Sequence, residues 1–170
     1  MNTFFSFVNS FDKKVQVFFE KRFSTNTEWL IETLALNPMI IYIIFLAIDF
    51  IFFSGEFFVK QIFYIFTCII VIIIKQAVRR ERPKRIKGNS FKNIMNFETD
   101  NYSFPSAHSF MIAQMIPLSF IMFSYGGIAF SLFAIFIMFS RIYLKFHYLS
   151  DVITGAVLGL ITGSLILFLM

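Results

Sequence analysis

Five stretches of this chain stay apolar long enough to be read as membrane-crossing helices, and charged islands separate them. They cover about residues 39–53, 57–74, 106–123, 128–145 and 150–170. Crossing a hydrocarbon core takes about 20 apolar residues in a helix, with about 17–25 the usual range. The first stretch carries Asp49 and the second ends at Lys75. Pro117, inside the third, predicts a kink rather than a stop, because neighbouring helices can satisfy the backbone group it frees. Gly126 and Gly127 predict a tight turn before the fourth. In the fifth, Gly155, Gly159 and Gly163 recur every four residues, so they share one face and predict close approach by a neighbouring helix. Ahead of the spans, charges interrupt the apolar residues of MNTFFSFVNSFDKKVQVFFEKRF, and no cleavage site follows. That pattern fits an amphipathic helix at the membrane surface rather than a signal peptide. The expected fold is all-α: a polytopic transmembrane helical bundle of about five spans plus an N-terminal amphipathic interfacial helix. It forms a single membrane-embedded domain over 1–170, with 1–36 interfacial and 37–170 the transmembrane core.

Composition supports the membrane reading. The chain is 58% hydrophobic and 15% charged, against about 45–50% and about 25% for a soluble domain. Its net charge of +5 suits anionic headgroups or a phosphorylated substrate, while so apolar a chain is a poor partner for nucleic acid. One cysteine, Cys68, allows no disulfide within the chain and indicates no metal-thiolate site. Asp49 and Lys60 fall near the same membrane face and are expected to form a structural ion pair.

Three polar islands remain: KQAVRRERP at 75–83, PSAH at 105–108 and SRIYLKFHYLSD at 140–151. Counting crossings puts all three at one end of the bundle. Lys75, Arg82 and Arg141 are candidates for one anion cradle, since arginine offers a planar fork of donors and lysine a point charge. Ser106 adds a hydroxyl, and a helix starting there adds free main-chain N–H groups at a positive dipole end. His147 and Asp151 are four residues apart, so on a helix their side chains meet. A carboxylate holding one ring N–H leaves the other nitrogen unprotonated and stabilises the imidazolium formed when it attacks. His108 is positioned to give a proton to a departing oxygen. No cluster has the spacing of a metal site. Taken singly, an interfacial Lys or Arg is an anchor and a lone histidine a structural donor; the combination points to phosphoryl chemistry.

These residues resemble a known family. Lys75, six residues, then Arg82-Pro83; Pro105-Ser106-Ala107-His108; and Ser140-Arg141, five residues, His147, three residues, Asp151 are similar in order and spacing to the motifs of the type-2 phosphatidic acid phosphatase superfamily. Its members are membrane relatives of the vanadium haloperoxidases, and the likeness covers roughly the last two thirds of the chain. The resemblance implies that His147 is the nucleophile and forms a phosphohistidine, that Asp151 orients and charges it, and that His108 protonates the leaving alkoxide. Lys75, Arg82, Ser106, Ala107 and Arg141 would line the phosphoryl-binding site, without metal or cofactor. The family normally has glycine where this chain has Ala107; in a helix, alanine is acceptable and keeps its N–H. Arg79, Arg80, Lys84, Arg85 and Lys87 fall outside the motifs and read as headgroup-binding surface charges.

The function implied is an integral membrane lipid phosphatase acting on a phosphomonoester or diphosphate. Its partners would be membrane lipids and a phosphorylated lipid: polyprenyl diphosphate, as in small bacterial undecaprenyl-diphosphatases, phosphatidate, phosphatidylglycerol phosphate or phosphorylated lipid A. The alternatives are a lipid phosphotransferase using the same intermediate and a non-catalytic membrane scaffold. The expected location is a bacterial inner membrane with the site facing the periplasm or outside. The basic loop holding Lys75, Arg79, Arg80, Arg82, Lys84, Arg85, Lys87 and Lys92 argues instead for a cytoplasmic site by the positive-inside rule.

Overall fold

The computed structural model describes residues 2–22, 38–83 and 102–170. Its helices are α1 (Asn2–Arg22), α2 (Pro38–Phe52), α3 (Phe58–Val78), α4 (Ala107–Phe123), α5 (Gly126–Tyr143) and α6 (Leu149–Leu169). Lys84, Arg85, Lys87 and Lys92 lie outside the described residues.

α4 is the hub. It buries residues on every side, including Phe110, Ile112, Ala113, Met115 and Leu118, as a helix enclosed by others must. The core around it takes Tyr42 and Phe45 from α2, Tyr64 from α3, Ala134 and Ile137 from α5, and Ile166 from α6. The outer faces are apolar too: Ile43, Phe66, Ile73, Leu132, Ile135 and Leu165 are all exposed. Such an apolar exterior suits lipid and not water. α3, α5 and α6 are long and apolar enough to cross a membrane, whereas α2 and α4 are apolar but shorter. At about 1.5 Å per residue, the 15 and 17 residues of α2 and α4 fall short of a hydrocarbon core about 30 Å thick.

The glycine stripe of α6 explains its tight seat on α4. A Cβ added at Gly155, Gly159 or Gly163 would lie 2.4, 2.2 or 2.3 Å from the carbonyl oxygens of Ser106, Phe110 and Gln114. Those three carbonyls are also four residues apart, so two matched helical rows meet backbone to backbone. Polar bridges reinforce the bundle: Tyr42 Oη donates to Gln114 Oε1 at 2.9 Å, Gln114 Nε2 donates to Thr67 Oγ1, and Tyr64 Oη donates to the Gly163 carbonyl at 3.3 Å.

As expected, Pro117 does not stop α4, since the helix runs through it to Phe123. Other local expectations change. Gly126 and Gly127 do not form the turn; Ser124, at φ 50, turns the chain, and the glycines open α5. Their bareness is needed because a Cβ on Gly127 would come within 2.6 Å of the Phe120 ring. The Asp49–Lys60 ion pair is replaced by a cap. Asp49 accepts the Phe57 N–H at 3.1 Å and the Gln61 amide at 3.4 Å, while the Lys60 ammonium lies 5.3 Å from the centre of the Phe57 ring. Donors at a helix start already satisfy the carboxylate. α1 is helical, but its buried side is polar: Asp12 and Gln16 turn inward, and Phe11, Val17 and Phe18 are exposed.

Candidate active site

The three polar islands converge at the end of the bundle where α3 finishes and α4 and α6 begin. α3 ends because Arg79 turns left-handed at φ 51, sending its N–H back to the Lys75 carbonyl. The chain then runs extended through Arg80 and Glu81, where an isolated antiparallel bridge pairs Glu81 with Tyr102. Ser103 fastens this junction. Its N–H donates to the Arg80 carbonyl at 2.8 Å and its hydroxyl to the Glu81 carbonyl at 3.0 Å. Lys75, buried in the last turn of α3, donates from Nζ to the Tyr102 carbonyl at 3.2 Å.

α4 starts at Ala107, with Ser106 as its N-cap. Ser106 Oγ accepts from the Ser109 N–H at 3.4 Å and the Ser109 hydroxyl at 3.0 Å, which leaves its own O–H as a donor. Its N–H donates to the Asp151 carbonyl at 3.0 Å, tying the start of α4 to α6. Ala107 occupies the first helical position, where alanine fits the backbone. First-turn N–H groups lack intrahelical partners, so this end of α4 is a ready anion site. His108 follows, half-buried, within electrostatic reach of Arg141, His147, Lys75 and Arg82. Arg141, buried in the last turn of α5, lies 5.6 Å from the Phe146 ring centre, and Arg82 Nη1 donates to the Phe146 carbonyl at 3.4 Å.

His147 is 1% exposed, and its orientation differs from the sequence expectation. Nδ1 lies 2.7 Å from the Ser103 carbonyl oxygen and 3.7 Å from Asp151 Oδ2. A carbonyl only accepts, so Nδ1 carries the proton, and in the neutral ring the lone pair lies on Nε2. The Ser103 carbonyl therefore takes the hydrogen bond expected of the carboxylate. The reason is where the helix begins: α6 starts at Leu149, with Tyr148 extended at φ −77 and ψ 160. His147 thus precedes the helix that a four-residue spacing presumes. Asp151 instead accepts the Tyr148 N–H at 2.9 Å through Oδ2 and pairs with Arg80 at 2.6 Å through Oδ1. Its charge remains close enough to favour an imidazolium.

Arg80 is the second departure. It is no headgroup-facing surface charge: Nη1 also donates to Ser150 Oγ at 2.6 Å, Nη2 pairs with Asp12 at 2.7 Å, and the guanidinium covers the Tyr148 ring at 4.2 Å. Burial works to lower its pKa, yet the bonds and charges of Asp12 and Asp151 outweigh that and raise it above the ordinary value. Arg79, by contrast, is exposed and folds back to the Gln76 carbonyl at 3.0 Å. Asp12, Gln16, Ser103 and Ser150 carried no motif signal, because they act through long-range side-chain bonds or a main-chain carbonyl. Among the described residues, no group of three or more His, Cys, Asp or Glu is placed to hold a metal ion.

Among the described residues, a lipid-suited helical bundle with histidines and cations gathered at one end defines an integral membrane protein. The family model of the PAP2 superfamily matches residues 57–170, and the chain belongs to that superfamily. Its fold is similar to the crystal structure of the first transmembrane PAP2 type phosphatidylglycerolphosphate phosphatase from Bacillus subtilis. That likeness has a TM-score of 0.75 at 18% identity, covering 95% of this chain and 85% of that one. A search of curated proteins finds no match. Family membership and this fold support a membrane lipid phosphatase.

Proposed function

We propose that this chain is one membrane-embedded domain, with α3, α5 and α6 as full crossings and the shorter α2 and α4 completing five spans, that hydrolyses a phosphomonoester or diphosphate of a lipid. His147 Nε2 attacks phosphorus, and the bond to the lipid oxygen breaks. His108 donates a proton to that oxygen, leaving a phosphohistidine. His108 then takes a proton from water as the water attacks phosphorus, the P–N bond breaks, and inorganic phosphate departs. Lys75, Arg82, Arg141, the Ser106 hydroxyl and the first N–H groups of α4, Ala107 included, hold the phosphoryl oxygens as charge builds on them. No metal enters these steps. The observation that supports the reading is the 2.7 Å contact from His147 Nδ1 to the Ser103 carbonyl, which puts the lone pair of the neutral ring on Nε2.

The substrate class is a phosphorylated lipid of the polyprenyl diphosphate, phosphatidate, phosphatidylglycerol phosphate or lipid A type. The test is phosphate release by purified protein against that panel. His147→Ala is expected to abolish turnover while the protein still inserts and folds; full activity in that variant defeats the mechanism. Vanadate should inhibit as a mimic of five-coordinate phosphorus, and a chelator should not. Transfer of phosphate to a second lipid, without release, would instead identify a phosphotransferase. We further propose that the site faces outward from a bacterial inner membrane. Tyr125→Cys, in the exposed turn at the opposite end, should then be labelled only from the cytoplasmic side.

A further inference from the structure

The N-terminal helix reaches the reacting centre through two buried polar residues that the proposed chemistry leaves unused. Asp12 and Gln16 sit one turn apart on α1, 1% and 8% exposed. Asp12 Oδ1 accepts the Ser150 N–H at 3.1 Å, and Oδ2 accepts from the Ser150 hydroxyl at 2.5 Å and from Arg80 at 2.7 Å. Gln16 Nε2 donates to the main-chain carbonyl of His147 at 3.2 Å. Ser150 lies in the first turn of α6, so its N–H is one of the donors that helix cannot satisfy itself. Asp12 therefore caps α6 from another helix, at the end where the dipole favours negative charge. Asp151 brings a second carboxylate to the same turn. Arg80 stands between the two, 2.7 Å from Asp12 and 2.6 Å from Asp151. That shared cation offsets part of the cost of burying two acids side by side.

We propose that α1 is a positioning element of the catalytic centre: Asp12 acts through Arg80 and Ser150, and Gln16 through the His147 carbonyl. Together they hold His147 in place and set how much of the Asp151 charge it feels. This rests on the phosphatase reading above. Neither residue is assigned a contact with the lipid, so removing either affects kcat and leaves KM within about twofold. Lys75 and Arg82 from α3 and the segment after it and Arg141 from α5 act on His108 of α4, which in turn feels His147. These groups stay constant in the variants below.

The two charges give opposite signs. His147 must be unprotonated to attack, so the rate falls on the acid side as the ring gains its proton. Asp12→Asn removes a negative charge, making protonation harder, and should move that acid limb to lower pH. Arg80→Gln removes a positive charge and should move it to higher pH. Each shift is expected to be about 0.5–1 pH unit, with kcat reduced about 10–100-fold by misalignment. The double variant should return the limb toward the wild-type position while kcat stays low. Gln16→Met, which alters no charge, should lower kcat about 3–10-fold without moving the limb.

The experiment is a pH–rate series on full-length protein in detergent with whichever panel lipid the wild type hydrolyses. It is paired with NMR titration of the His147 ring in the same variants. If the ring shifts in opposite directions but the wild type releases no phosphate, the phosphatase reading fails and the coupling stands. Normal wild-type turnover, with Asp12→Asn and Gln16→Met both at wild-type kcat and unshifted, overturns the coupling. Should Asp12→Asn fail to fold, Gln16→Met decides: wild-type kcat there overturns the proposal.

Discussion

Asp49 and Asp151 are both fully buried carboxylates beside a helix start, at opposite ends of α3. Each accepts a main-chain N–H, from Phe57 at 3.1 Å and from Tyr148 at 2.9 Å. They diverge at the other oxygen. Asp49 Oδ2 meets the neutral amide of Gln61 at 3.4 Å, whereas Asp151 Oδ1 meets the Arg80 guanidinium at 2.6 Å. Asp151 also has His147 at 3.7 Å, and Asp12 shares its arginine. An acid buried in an apolar bundle is therefore not a mark of chemistry in itself. A capped acid with neutral donors finishes a turn; one tied into a network of charges beside a titratable ring can bias that ring's protonation.

The sharpest way to break this comparison is to neutralise each acid. Asp151→Asn should reduce kcat by about 10²–10⁴-fold, because it strips the charge that stabilises the imidazolium and leaves Arg80 half-paired. Phosphate release at saturating substrate measures it. Next in size are the glycines. Gly155→Ala forces a methyl against the Ser106 carbonyl and so moves the start of α4; it should cost about 1–3 kcal/mol of stability and about tenfold in kcat. Gly163→Ala makes the same clash with Gln114, two turns deeper, and should cost similar stability while the surviving enzyme keeps its kcat. Thermal unfolding alongside activity separates the two. The smallest effect is expected from Asp49→Asn: kcat within about twofold and a loss of about 1–2 kcal/mol in unfolding. A large catalytic defect in Asp49→Asn, matching that of Asp151→Asn, would erase the distinction.

Much of the architecture is legible in the chain because hydrophobic length and small-residue spacing are local properties. The apolar stretches at 57–74 and 150–170 became α3 and α6 with ends shifted by a few residues, and the glycine stripe met a helix backbone as its period required. Helix length was less legible: among the described residues α2 and α4 run for 15 and 17 residues and end at the turns at Ser54 and Ser124, both with positive φ. The convergence of Lys75, Ser106, Arg141, His147 and Asp151 at one end follows from counting crossings. The partners of those residues do not. A four-residue interval suggested a His147–Asp151 hydrogen bond, but the helix begins two residues after His147 and the Ser103 carbonyl takes the ring proton. Arg80 read as a surface charge because its carboxylate partners stand 68 and 71 residues away.

The sequence by itself determined that this is an apolar helical chain carrying a set of histidines, cations and an acid in fixed local order. Periodicity, length and spacing act over a few turns and need no partner to be read. Only the tertiary structure decided which group holds the His147 proton, that Arg80 faces inward, and that Asp12 and Gln16 of α1 meet Arg80, Ser150 and the His147 carbonyl. Those outcomes depend on main-chain carbonyls and on side chains from distant segments meeting in three dimensions, and a buried polar group takes whichever partner the packing brings within reach.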